Sequence, residues 1–120
     1  MDAAAAAIAR SEPSVRALTW RRLDEARDEA DALARSGGPL AGVPFLLKDL
    51  HLPMRGTPMT NGSRYWRDHR CVDDCELVVR YRRAGLVVVG RSKSSELGLL
   101  PATEPLLHGP TENPYRAGHT

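Results

Sequence analysis

An α/β fold is what this sequence predicts, and three observations carry the prediction. Val43 to Leu47 and Leu86 to Val89 are short apolar runs without alternation, the pattern of strands buried on both faces of a sheet. Between them Leu77, Val78, Tyr81 and Ala84 recur at helical spacing, with Arg80, Arg82 and Arg83 among the intervening positions. Strand, helix and strand in this order form a βαβ unit, with parallel strands over about 43–47 and 86–90 joined by a right-handed crossover.

The remaining elements follow from local signals. Asp2 to Arg10 is alanine-rich and predicts a helix that Ser11-Glu12-Pro13 breaks, because proline lacks the amide proton and clashes with the preceding turn. Pro13 to Leu18 then reads as a connector. Trp20, Leu23, Ala26, Ala30, Leu33 and Ala34 predict an amphipathic helix over 20–35, capped by Thr19 and stopped by Gly37-Gly38. Pro44 stands near the start of the first strand, where a missing donor does least damage. Leu50 to Ser63 is rich in turn formers and leaves the sheet as a loop. Asp73 or Asp74 is placed to cap the crossover helix, and Gly85 to close it. The polar run Arg91 to Glu96 leaves the second strand, and Ser94 or Ser95 can cap a short helix through Leu99. From Pro101 onward no periodicity survives.

Composition narrows the function classes. Seventeen basic and fifteen acidic residues in a chain of 120 give a formal charge of +2, largely interleaved, so no field points to nucleic acid or an anionic membrane. The Arg80, Arg82 and Arg83 cluster shares a helix with Glu76 and reads as a solvated face. No stretch is long and apolar enough to span a membrane, and Ala3 to Ala7 is too weak for a signal-peptide core, which leaves a cytoplasmic location as the expectation. Cys71 and Cys75, with His69, Asp73 and Asp74 nearby, match no standard zinc spacing and read as reduced thiols.

Ligands of a parallel sheet bind beyond the carboxyl ends of its strands, where loops vary on a rigid base. Lys48-Asp49 and the Arg91 to Glu96 run occupy those two positions and face the same edge. Only Lys48 and Lys93 are lysines among the seventeen basic residues, so lysine is not this chain's generic surface cation. Lys48 sits among Leu46, Leu47 and Leu50, and desolvation there would favour the neutral amine that accepts a proton. It is the candidate general base. The alternative leaves it reaching into water or pairing with Asp49. Ser92, Ser94 and Ser95 show no nucleophile elbow and suit capping and hydrogen bonding better. His51, His69, His108 and His119 lie scattered in loops, with an exposed position expected for each.

The segment Gly38-Pro39-Leu40-Ala41-Gly42-Val43-Pro44-Phe45-Leu46-Leu47-Lys48-Asp49 resembles the strand-and-lysine motif of the amidase signature family. Gly62-Ser63, Ala84 to Arg91, Ser95-Glu96-Leu97-Gly98 and Asn113-Pro114-Tyr115 follow in that family's order, and the likeness runs from about Ala17 to Thr120. The resemblance implies an α/β/α sandwich with a mixed sheet, of which this chain is the N-terminal portion. It implies carboxamide hydrolysis by a lysine and two serines, with Lys48 acting through a bridging serine on a nucleophilic one, and no metal or organic cofactor. Thr103-Glu104-Pro105 and His108-Gly109-Pro110-Thr111 look more like the branch of nylon-oligomer cyclic dimer hydrolases than the tRNA-dependent amidotransferase subunits.

On the same resemblance both serines lie beyond Thr120, so Lys48 alone of the catalytic set is transferred. Residues 1–120 are then expected to be a partial domain, inactive and poorly folded alone. The expected partner of the whole protein is a small-molecule amide, with no nucleic acid and no membrane; a homo-oligomer stays open. Two competing readings are a non-catalytic interaction module pairing its open sheet edge with another chain, and part of an amidotransferase subunit.

Overall fold

The computed structural model describes residues 1–33 and 38–120. Its elements run α1 (Asp2–Val15), β1 (Leu18–Arg21), α2 (Leu23–Leu33), β2 (Pro44–Lys48), α3 (Glu76–Arg83) and β3 (Val87–Ser92), with 3-10 turns at Arg64–Trp66 and Glu96–Gly98. Among the described residues the sheet is mixed, in the order β1-β3-β2. β2 runs parallel to β3 and β1 antiparallel to it.

β3 is central because both of its faces are apolar and both are covered. Val87 and Val89 pack with Ala26 of α2 and, more peripherally, Ile8 of α1, Leu23 and Ala30. Val88 turns the other way onto Leu47, Met54 and Val78 of α3. Helices therefore lie on both sides of the sheet, as the βαβ reading requires. β2 departs from that reading. Leu47 is fully buried, but Pro44 and Leu46 are exposed, since β2 is an edge strand whose outer face α1 covers only in part.

Five local expectations are corrected. Pro13 does not end the first helix, which continues to Val15. Proline falls in the last turn, where one missing bond is tolerated, and the helix stops three residues later at left-handed Arg16 (φ 52°). The Glu12 carboxylate then takes the free amides of Ala17 (3.1 Å) and Leu18 (2.8 Å). Thr19 caps nothing: Leu18–Arg21 is a strand, and α2 begins only at Leu23. The expected helix end at Ala34 to Gly37 lies outside the described residues.

Asp73 and Asp74 do not cap α3 either, whose N-cap residue is Cys75. They bind Arg55 and Arg82 instead and brace the preceding loop. Leu77, expected on the inner face, is 42% exposed, while Val78 is fully buried. Lastly, β3 does not stop at Gly90 but continues through Arg91 to Ser92.

Gly85 and Gly90 are glycine for steric reasons. Gly85 closes α3 at φ 94°, and a Cβ there would lie 2.7 Å from the Cα of Ala41. A Cβ on Gly90 would meet the Trp20 carbonyl oxygen at 2.4 Å, where β1 crosses β3.

Candidate active site

Parallel pairing brings the two strand ends together, with Lys48 opposite Ser92. The main chain of residues 48 and 49 is held at three successive polar atoms. Arg91 Nη1 donates to the Lys48 carbonyl (3.2 Å), the Asp49 amide donates to the Ser92 carbonyl (2.9 Å), and Ser94 Oγ donates to the Asp49 carbonyl (3.1 Å). The lysine side chain itself is exposed. The desolvation expected from its leucine neighbours is absent within these residues, because Leu47 turns into the core while Lys48 points to the opposite side. The pairing with Asp49 is not formed either.

Asp49 is turned inward instead and is 1% exposed. Its carboxylate accepts from the Thr60 amide (2.7 Å) and from Thr60 Oγ1. This tethers the loop after β2 back onto the strand end. Gly62 lets that loop settle on the neighbouring strand exit, where a Cβ would stand 3.0 Å from both the Ser94 and Ser95 carbonyl oxygens. Asn61 completes the contact by accepting from the Leu97 amide through its carbonyl (2.8 Å) and from the His51 amide through Oδ1 (3.1 Å).

Two cations lie under this edge. Arg91 is fully buried, donating through Nη2 to Thr57 Oγ1 (3.0 Å), while its Nε has no partner. Desolvation pushes its pKa down, opposed by the charges of Cys71, Asp49 and Cys75. Lys93 is 8% exposed, and its ammonium donates to the carbonyls of His108 (3.1 Å), Gly109 (3.2 Å) and Pro110 (3.2 Å). Burial lowers its pKa too, with Glu12 acting against that and Arg16 with it. The scarcity of lysine rightly marks this residue as special, but its three donors are all spent on one loop.

His108 is half-buried, contrary to the exposed position expected of it, with Nε2 2.9 Å from Thr60 Oγ1 and 3.8 Å from Asp49 Oδ2. Desolvation pushes its pKa down, Asp49 pulls it back up and Lys93 adds to the fall. Ser94 and Ser95 are buried, and Ser95 is the N-cap residue of the turn at Glu96–Gly98 without a side-chain capping bond. A cleft of about 250 Å³ lies just beyond, lined by Ser95, Glu96, Leu100, Ala102, Glu104, Pro105 and Leu106.

The strand ends thus form a mixed α/β sheet edge with a lysine at the carboxyl end of one parallel strand and a serine-rich exit from its neighbour. The chain belongs to the amidase family, whose model matches residues 1–120. It is 32% identical to a 6-aminohexanoate-cyclic-dimer hydrolase of Paenarthrobacter ureafaciens over 122 residues, covering 100% of this chain and 24% of that protein. It is 42% identical to a glutamyl-tRNA(Gln) amidotransferase subunit of Salinispora tropica over 96 residues, 78% of this chain and 19% of that one. The solved structure of a 6-aminohexanoate cyclic dimer hydrolase complexed with substrate superposes with a TM-score of 0.89 at 33% identity, covering 98% of this chain and 24% of the other. The chain thus spans about a quarter of the hydrolases it matches. Among the described residues no helix is long and apolar enough to cross a membrane.

Proposed function

We propose that the whole protein is a carboxamide hydrolase of the lysine and serine type, and that Lys48 is its general base. The observation that carries this reading is the contrast at the end of β2. The main chain of residues 48 and 49 is bonded at three successive polar atoms, while Lys48 is left exposed at the carboxyl edge of the parallel strands. A base needs a fixed origin and a free functional end. Proton acceptance needs the neutral amine, which is favoured only once Nζ is withdrawn from water. Cover over Lys48 in the whole protein is therefore part of the proposal.

In the reaction, Lys48 takes a proton through a bridging serine from a nucleophilic serine, which attacks the amide carbon. The amine departs with a proton, and water then releases the acyl group to regenerate the serine. A small amide is the substrate class, and the cytoplasm the expected location. In the full-length protein, Lys48→Ala should lower kcat for a simple amide by about a thousandfold or more while circular dichroism stays unchanged. Near-normal turnover by that variant would remove the assignment.

The 42% identity to a component of an amidotransferase supports a second reading, in which the same chemistry serves a multi-subunit enzyme. Stoichiometric co-purification of companion subunits favours it. A monomer or homo-oligomer that turns over free amides favours the first.

A further inference from the structure

The groups around Asp49 form a closed circuit whose donors and acceptors can be assigned one by one. Thr60 Oγ1 has a single proton, and the Asp49 carboxylate takes it. The same oxygen accepts from the Gly62 amide (3.2 Å), and its remaining neighbour is His108 Nε2 at 2.9 Å. With the hydroxyl proton already committed, Nε2 must be the donor, which fixes His108 as the Nε2–H tautomer. On its other side, the His108 carbonyl accepts from Lys93, whose ammonium also holds the next two residues. Lys93 follows Ser92, the register partner of Lys48. The path from Lys48 through Asp49, Thr60, His108 and Lys93 therefore returns to its starting point across the sheet.

A circuit saturated at Thr60 and at Lys93 has one geometry, and the residue preceding its buried carboxylate is Lys48. We propose that Thr60 and His108 are positioning residues for Lys48, acting through Asp49 to lock the strand end against the 105–110 loop. The proposal rests on the reading of Lys48 as base. Neither residue touches the reacting atoms; each fixes the group that carries them.

The test uses the full-length protein and a simple amide substrate. Thr60→Val keeps the shape but removes the hydroxyl, and should lower kcat about tenfold with KM changed less than about threefold, while Thr60→Ser should recover to within about threefold of wild type. His108→Phe should match Thr60→Val. The double variant should be no worse than either single one, as expected for two links of one chain. A folded Thr60→Val with wild-type kcat, a loss confined to KM, or additive losses in the double variant would overturn the proposal. Should Thr60→Val fail to fold, His108→Phe against His108→Gln, which retains a donor, decides by the same kcat criterion. Nitrogen NMR of His108 near pH 7.5 gives a readout independent of turnover: the Nε2–H tautomer is expected, and the Nδ1–H tautomer would overturn the circuit. An active Lys48→Ala removes the base reading; an inactive Lys48→Ala beside a fully active Thr60→Val removes the positioning role alone.

Discussion

Arg91 donates from Nη1 to the main-chain carbonyl of Lys48 at 3.2 Å, reaching it from a fully buried position on the neighbouring strand. A carbonyl at a strand end normally finds water or a turn; here it finds a charged donor with little freedom of its own. The cost is a buried guanidinium bound to neutral acceptors, with Nε unpartnered. Such a cost is hard to explain by stability alone, because an apolar side chain of similar length would fill the space without it.

Replacing Arg91 by Met separates the two contributions. Losing hydrogen bonds from a charged donor costs about 1.5–3 kcal/mol each, but relief of the buried cation offsets much of that. Stability measured by urea denaturation should therefore change by no more than about 2 kcal/mol. Turnover by the full-length protein should fall about tenfold, because Lys48 loses the contact that fixes its carbonyl. Unchanged kcat in a folded Arg91→Met protein would show that the contact serves packing only.

His108 makes stability depend on pH with a definite sign. Burial holds its folded-state pKa below the usual 6.5, against the pull of Asp49 and with the push of Lys93. The unfolded chain therefore binds the proton more readily. Its contribution is fully present above about pH 6.5 and is lost as pH falls through the lowered folded-state value. The stability advantage of wild type over His108→Gln, taken from denaturation midpoints between about pH 7.5 and 5, should shrink towards acid. An advantage that grows towards acid contradicts the assignment.

The βαβ unit and the lysine at its edge are legible because buried parallel strands and helical periodicity are local signals. β1 is not. Leu18-Thr19-Trp20-Arg21 has only four residues, and its antiparallel pairing depends on Gly90, some seventy residues away. The polar circuit is hidden for the same reason. Thr60 and His108 stand 48 positions apart in loops without periodicity, and their meeting depends on where Lys93 and Asp49 pull those loops. Arg91 reads as the start of a solvent-facing run because charge after a valine stretch ordinarily marks a strand end; its burial requires acceptors on Lys48 and Thr57 that sequence spacing does not reveal.

Gly90 is the position where β1 is most exposed to a single change. In Gly90→Ala the added carbon would face the Trp20 carbonyl and the Arg21 Cα, at 2.4 and 3.3 Å, and main chain cannot rotate aside. A loss of about 1–3 kcal/mol or more is expected, with β1 detaching first. Hydrogen exchange should show faster exchange of the Leu18 to Arg22 amides than of those in β2. Equal protection in variant and wild type would mean that β1 can shift without cost.

Residues 1–120 expressed on their own should associate. The outer edge of β2 has no strand beside it among the described residues, and Leu46 is 38% exposed next to an apolar groove of about 470 Å³ between α1 and β2. Leu99, Leu100 and Leu106 add further apolar surface near the strand ends, each more than half exposed. An open edge beside an uncovered apolar face invites pairing with another copy, since burial gains about 25 cal/mol for each Å² removed from water. Sedimentation at tens of micromolar, a concentration at which exposed edges commonly aggregate, should show oligomers, and a hydrophobic dye should bind. Leu46→Lys places a charge on that face and should reduce both signals while circular dichroism stays the same. A monomer that unfolds cooperatively and leaves the dye unbound would mean that the 120 residues cover their own core well enough to stand alone.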